Sequence, residues 1–115
     1  MPTFLLHILV RPGREQAAVQ TLTEIEDLSR RDAGCVEFTW LRHESEPRRF
    51  TLFERWESQA LLDAHLAKII PRWELFAPDL DGEPVSEPVH PVRDDLARAG
   101  GANGSGPAVR SEVGR

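Results

Sequence analysis

The sequence predicts an α+β fold in which two helices pack on one face of an antiparallel sheet. Short segments in which apolar residues run together or alternate are typical of strands, and this chain has four of them. Two longer segments repeat apolar residues every three or four positions, as amphipathic helices do. The chain has 115 residues, which is enough for one domain.

The first strand is predicted at residues 3–10, where only His7 interrupts a run of Phe, Leu, Ile and Val. Arg11-Pro12-Gly13 then gives a turn signal. The first helix is predicted at residues 14–31, and Asp32-Ala33-Gly34 ends it. Its apolar stripe consists of Ala18, Leu22, Ile25 and Leu28.

The second and third strands, at residues 35–43 and 49–57, are predicted to form an antiparallel hairpin, because only the turn at residues 44–47 separates their patterns. The third strand alternates clearly. One face carries Phe50, Leu52, Glu54 and Trp56, and the other carries Thr51, Phe53 and Arg55.

The second helix is predicted to begin after the N-cap Ser58. His65 lies within its apolar stripe, which consists of Leu62, His65, Leu66 and Ile69. Pro71 is predicted to interrupt this helix, and residues 72–77 to add a further turn or two. Residues 85–92 contain two prolines and are predicted to form an edge or irregular strand.

The element order β-α-β-β-α-β is the ferredoxin-like arrangement. We assign residues 1–92 to this domain and residues 93–115 to a flexible tail rich in Gly, Ala and Ser. Two helices can cover only one face of the sheet, yet the central strands carry large apolar residues on both faces. Burial of the second face against another copy would solve this problem, so we expect a homodimer.

Composition excludes several classes of function. A net charge of −5 and a sequence pI of about 5.3 do not suit nucleic-acid binding. No apolar run approaches the ~20 residues of a membrane span. The single cysteine, Cys35, cannot form an internal disulfide, which fits a reducing compartment, and we expect a cytoplasmic location.

The sequence carries no signal for a metal or a nucleotide cofactor. The four histidines form no close pair, so a dedicated metal site is not expected. There is no glycine-rich phosphate loop and no dinucleotide fingerprint. Any oxidation chemistry is therefore expected to work without flavin or nicotinamide.

Residues 50–58 read Phe-Thr-Leu-Phe-Glu-Arg-Trp-Glu-Ser, and a helix with a histidine at position 65 follows. This pattern resembles the antibiotic biosynthesis monooxygenase domain family, whose signature is a strand that ends in Glu-x-Trp-x-Ser before such a helix. Pro12-Gly13 and Gly34-Cys35 also match, and the resemblance covers roughly residues 3 to 92. It implies a dimeric α+β barrel with a pocket in each subunit between the sheet and the helices.

The resemblance also implies roles for individual residues. His65 is the candidate general base or carbonyl-polarising group, although it could instead be a buried histidine bound to a backbone carbonyl or to Glu54. Trp56 is the second candidate catalytic residue, because its N–H could donate to a substrate oxygen; the alternative is a core aromatic. The predicted substrate-binding residues are Leu6, Trp40, Leu52, Glu54, Trp73 and Phe76.

Glu54 lies on an apolar strand face, where a carboxylate needs a partner. Three arginines are the candidates for a structural ion pair with it. These are Arg42, Arg55 and Arg72.

The activity that the resemblance implies is cofactor-independent monooxygenation of a small aromatic, quinol-like or polyketide-type molecule with molecular oxygen. Two departures matter. Residues 67–71 lack the second histidine common in quinol-oxidising members, and the first strand has Leu6 or His7 where haem-degrading members have asparagine. Haem degradation is therefore disfavoured, and the case for quinol oxidation is weakened. A non-catalytic ligand-binding dimer, and an isomerase with His65 as base, remain as alternatives.

Overall fold

A computed structural model describes residues 1–96 of the chain. The strands are Thr3–Leu9 (β1), Cys35–Arg42 (β2), Arg49–Trp56 (β3) and Val85–Pro88 (β4). The helices are Glu15–Ser29 (α1) and Gln59–Phe76 (α2), and a short 3-10 turn, Ala77–Asp79, follows α2. Most of the tail predicted from residue 93, namely residues 97–115, lies outside the described residues.

The four strands form one antiparallel sheet in the order β2-β3-β1-β4. This topology confirms the predicted ferredoxin-like α+β fold. Strand register determines which side chains meet: Trp40 pairs with Leu52, and Leu52 pairs with Leu6. Because paired residues point to the same face of a sheet, these three side chains form a row across the inner, helix-facing surface.

Two apolar clusters between the sheet and the helices hold the fold together. One contains Val10 and Leu22, and the other contains Ile25 and Trp56, all at most 2% exposed. Leu6, Trp40 and Trp73 pack against both clusters and join them. Burial of each large side chain contributes roughly 1.5–3 kcal/mol, so the inner face accounts for most of the packing energy.

Helix α2 runs unbroken through Pro71, so the predicted interruption is wrong. Its start was predicted correctly, since Ser58 caps it by accepting a hydrogen bond from the Leu61 amide at 3.2 Å. Proline has no N–H, so the carbonyl of Ala67 loses its usual partner. Both Ala67 and Pro71 are exposed, and water can therefore solvate that carbonyl.

Strand β4 is an edge strand, as predicted, but it ends at Pro88 and does not extend to residue 92. It pairs with β1 alone, and the Val89 amide donates one further bond to the Thr3 carbonyl at 3.0 Å. The ladder ends there because β1 begins at Thr3, so the residues after Val89 have no strand beside them. No helix among residues 1–96 is long and apolar enough to cross a membrane.

The outer face of the sheet, away from the helices, carries a hydrogen-bonded row of polar side chains. His7 Nε2 lies 2.8 Å from Glu87 Oε1, and His7 Nδ1 lies 3.0 Å from Thr51 Oγ1. His43 Nε2 lies 2.8 Å from the same Thr51 oxygen. Beside this row, Leu41 is 53% exposed and Val85 is 58% exposed.

Candidate active site

A cavity of about 190 Å³ lies between the inner face of the sheet and the helices. Apolar side chains and two titratable ones, Glu54 and His65, form its walls. The lining residues are Leu6, Ile25, Phe38, Trp40, Leu52, Glu54, His65, Leu66, Ile69, Ile70, Trp73 and Pro84. Such a site would exclude water while offering a ligand two groups able to exchange protons.

Most of the residues predicted to bind substrate lie in these walls. Leu6, Trp40, Leu52, Glu54 and Trp73 line the cavity, as does His65. Phe76 does not line it, which corrects that part of the prediction. Phe76 lies nearly one turn beyond Trp73 and is buried in the cluster that contains Val10 and Leu80. The rings of Phe76 and Trp73 make an edge-to-face contact, with their centroids 5.3 Å apart.

Glu54 is 4% exposed, and its hydrogen-bond partner is Trp56. The two residues are two apart on β3 and therefore share a face. Trp56 Nε1 donates to Glu54 Oε1 at 2.7 Å. Burial raises the pKa of Glu54 to about 7, although the hydrogen bond from Trp56 acts to lower it. Glu54 can thus hold or release a proton near neutral pH.

The predicted ion pair between Glu54 and an arginine is wrong. Arg55 Nη2 contacts Asp94 Oδ2 at 3.2 Å, because neighbouring residues on a strand point to opposite faces. Arg42 donates to the Pro47 carbonyl, and Arg72 lies 3.5 Å from Glu24. No positive charge in this set stabilises ionised Glu54, which is why burial dominates its pKa.

His65 is 3% exposed and is held by Asp32, which the sequence did not identify as a site residue. His65 Nδ1 lies 2.9 Å from Asp32 Oδ2, and the other carboxylate oxygen of Asp32 contacts Lys68 Nζ. A backbone carbonyl or Glu54 was predicted as the partner of a buried His65, and both are wrong. The partner is the carboxylate of Asp32, from the segment after α1. Nε2 of His65 has no hydrogen-bond partner among residues 1–96.

Asp32 remains ionised in this environment. Partial burial acts to raise the pKa of Asp32, but hydrogen bonds from Lys68 and His65 and their charges outweigh it. The pKa of this carboxyl is consequently below its ordinary value.

Trp56 lies behind the cavity wall and contacts both titratable groups. Its ring lies 4.5 Å from the ring of His65, tilted by 31°, and its N–H is bonded to Glu54. The prediction that this N–H faces a substrate oxygen is therefore wrong for the described structure. Phe38 meets the other side of the site, edge-on to His65 at 5.5 Å. These contacts hold the imidazole in one orientation.

Several site residues were missed in the sequence. Asp32 is 33 positions away from His65 and forms part of a helix-stop signal, so nothing local indicates its role. Leu66 and Ile69 also line the cavity, and their place in the apolar stripe of α2 was a signal that they face the sheet. The other missed lining residues are Ile25, Phe38, Ile70 and Pro84.

Cys35 lies outside the cavity wall. Burial raises the pKa of the Cys35 thiol, which disfavours the reactive thiolate. Within residues 1–96, no group of three or more His, Cys, Asp or Glu side chains is arranged to hold a metal ion.

Residues 3–68, more than half of the chain, match the antibiotic biosynthesis monooxygenase family. The chain therefore belongs to this family. An uncharacterised protein of Synechocystis sp. is 26% identical over an alignment of 89 residues, and the alignment covers 75% of this chain. The match spans 59% of the length of that relative.

Solved structures share the fold. A crystal structure of an antibiotic biosynthesis monooxygenase superposes with a TM-score of 0.74 at 17% identity, over 80% of this chain and 99% of the other. A protein of Shewanella oneidensis gives 0.71 at 27% identity, over 78% and 89%. A protein of Mycobacterium tuberculosis gives 0.70 at 19% identity, over 80% and 96%.

Proposed function

We propose that this protein is a cofactor-independent monooxygenase that oxidises a small aromatic or quinol-like molecule in the cavity. The observation that carries the proposal is the composition of the cavity wall. Its titratable side chains are Glu54, with a pKa of about 7, and His65, and the other lining residues are apolar. Perturbed titratable groups in an apolar pocket are typical of proton-transfer sites.

The walls favour a flat, apolar substrate. Trp40 and Trp73 lie stacked, with ring centroids 6.4 Å apart and planes within 5°. The volume of about 190 Å³ is below the ~300–1,000 Å³ of sites for drug-sized ligands, which favours a small molecule. Aromatic walls of this kind suit a ring system with one or two hydroxyl or carbonyl oxygens.

Proton removal is the step that these residues can perform. Ionised Glu54, or His65 through Nε2, accepts a proton from the substrate and leaves an electron-rich anion. The anion reacts with molecular oxygen and forms a carbon–oxygen bond. For an anthrone-type CH₂ group, one oxygen atom becomes the new carbonyl and the other leaves as water. The carbon is oxidised by four electrons as its two C–H bonds are replaced by C=O, and these four electrons reduce the O₂ molecule, so no separate reductant is consumed.

Oxygen consumption with a panel of quinols and anthrones tests the proposal. The native protein should consume oxygen and form product, and Glu54→Gln and His65→Gln should each lower kcat at least tenfold, since general acid–base catalysis contributes roughly 10²–10⁴-fold. Glu57→Gln is the matched control, because Glu57 is exposed and directly follows the same strand. An unchanged rate in both site variants, or no oxygen consumption with any substrate, contradicts the proposal.

The same assay separates the alternatives. Turnover that persists without oxygen indicates an isomerase or a related proton-transfer enzyme with His65 as base. Saturable binding of an aromatic ligand with no product indicates a ligand-binding protein. Trp56→Phe removes the N–H that bonds Glu54 and leaves a smaller aromatic ring beside His65, so it tests the role of that bond.

We also propose that the protein acts as a homodimer in the cytoplasm. Exposed Leu41 and Val85 on the outer face of the sheet support the dimer, because a second copy would remove this apolar surface from water. The single cysteine is compatible with a reducing compartment. Light scattering should give twice the monomer mass of 13.0 kDa, and Leu41→Glu should shift the mass toward the monomer.

A further inference from the structure

Asp32 contacts two groups at once, one on the cavity side and one on the surface side. Its Oδ2 atom lies 2.9 Å from His65 Nδ1, and its Oδ1 atom contacts Lys68 Nζ. His65 is 3% exposed, whereas the Lys68 side chain is 69% exposed. Asp32 therefore joins a buried imidazole to a cation that water reaches.

The protonation of Asp32 determines which ring nitrogen of His65 carries hydrogen. The contacts with Lys68 and His65 keep the pKa of Asp32 low, so its carboxylate has no hydrogen to donate at neutral pH. The atom that faces it, His65 Nδ1, must then be the donor. When the ring of His65 is neutral it has one N–H, so Nε2 then carries the lone pair.

We propose that Asp32 is a positioning residue that fixes His65 in the Nδ1–H tautomer, and that Lys68 keeps Asp32 in its charged form. His65 then offers Nε2 to the cavity as a proton acceptor. The contacts with Trp56 and Phe38 hold the plane of the His65 ring, and Asp32 keeps the hydrogen of the ring on Nδ1. This inference rests on the proposed function, but its first test does not depend on turnover.

The test is a nitrogen-15 NMR spectrum of the imidazole side chains in Asp32→Asn. The His65 signals are assigned by their loss in His65→Gln. Asparagine has one carbonyl oxygen, which the Lys68 ammonium should attract, leaving the amide NH₂ to face His65 Nδ1. The native protein should show the Nδ1–H tautomer, and Asp32→Asn should show mainly the Nε2–H tautomer.

A second variant makes the test independent of simple misfolding. In the double variant Asp32→Asn with Lys68→Met, the amide oxygen no longer has the Lys68 ammonium to bind and can accept from Nδ1. The Nδ1–H tautomer should therefore return, at least in part. Arg72→Met is the matched control, since Arg72 lies one turn beyond Lys68 and contacts Glu24 and not Asp32.

The rates complete the test. Once a substrate that the protein oxidises has been found, Asp32→Asn should lower kcat at least tenfold while KM changes less than about twofold. The His65 ring keeps its place in this variant, but its Nε2 carries hydrogen and cannot accept a proton from the substrate. An Nδ1–H tautomer that persists in Asp32→Asn overturns the proposal, and so does an inverted tautomer with unchanged kcat. If no substrate is ever oxidised, the proposed function fails, and the tautomer measurement still decides the role of Asp32.

Discussion

Glu54→Gln should make this protein more stable at pH 8 while leaving its stability at pH 4.5 nearly unchanged. Glu54 is 4% exposed, and burial places its pKa at about 7 instead of the ordinary 4.5. The folded chain thus retains a proton on Glu54 that the unfolded chain releases. Glutamine has the same shape, carries no charge and still offers an oxygen to the Trp56 N–H at 2.7 Å.

The sign and size of the effect follow from linkage. Because the pKa of Glu54 is higher in the folded chain than in the unfolded chain, protonated Glu54 contributes to the free energy of unfolding. This contribution is fully present below pH 4.5 and is lost as the pH rises through about 7. Each pKa unit corresponds to 1.36 kcal/mol, so a rise from 4.5 to about 7 corresponds to a loss of about 3 kcal/mol. Glu54→Gln avoids this loss, so above pH 8 its free energy of unfolding should exceed that of the native protein by about this amount.

Urea unfolding at a series of pH values measures the effect as the difference in free energy of unfolding between variant and native protein. The other titrating groups are the same in both and cancel. Glu57→Gln, at an exposed position, should give a flat difference near zero. A flat difference for Glu54→Gln, or a variant that is less stable than the native protein at pH 8, refutes the reasoning from burial.

Two further predictions concern the backbone. Gly34→Ala should destabilise the fold by about 3 kcal/mol, since φ is +85° and a Cβ would lie 2.5 Å from Leu61 Cδ1. Gly82→Ala is its control: φ is +99° with nothing within 4 Å, so urea unfolding should show a loss of only about 1 kcal/mol. Pro71→Ala should stabilise the protein by about 2 kcal/mol in the same assay, because it restores a bond to the exposed Ala67 carbonyl; unchanged stability would show that the proline does not strain α2.

The sheet could be predicted because strand patterns depend on local alternation. Phe50, Leu52 and Trp56 fall on one face because they are two and four positions apart, and the structure buries all three. The continuity of α2 could not be predicted from the presence of Pro71 alone. Whether a helix continues through proline depends on whether solvent reaches the freed carbonyl, and that depends on tertiary packing.

The residues of the candidate site could be predicted from the sequence only in part. Glu54 and His65 could be named because each is a polar residue in an apolar pattern, and such a residue stands out in the sequence. Their partners could not be named, since the Trp56 N–H and the Asp32 carboxylate meet them only after the strands and helices have packed. Asp32 in particular has the local features of a helix end, which hid its contact with His65.

The polar row on the outer face of the sheet has a fixed direction when both of its histidines are neutral. Ionised Glu87 can only accept, so His7 Nε2 must donate to it, and His7 Nδ1 must then accept from the Thr51 hydroxyl. That hydroxyl has a single hydrogen, so His43 Nε2 must be the donor to its oxygen. Every hydrogen bond in the row consequently points from the β2 edge toward β4, and the short edge strand is held by an ordered series of donors that crosses the whole sheet.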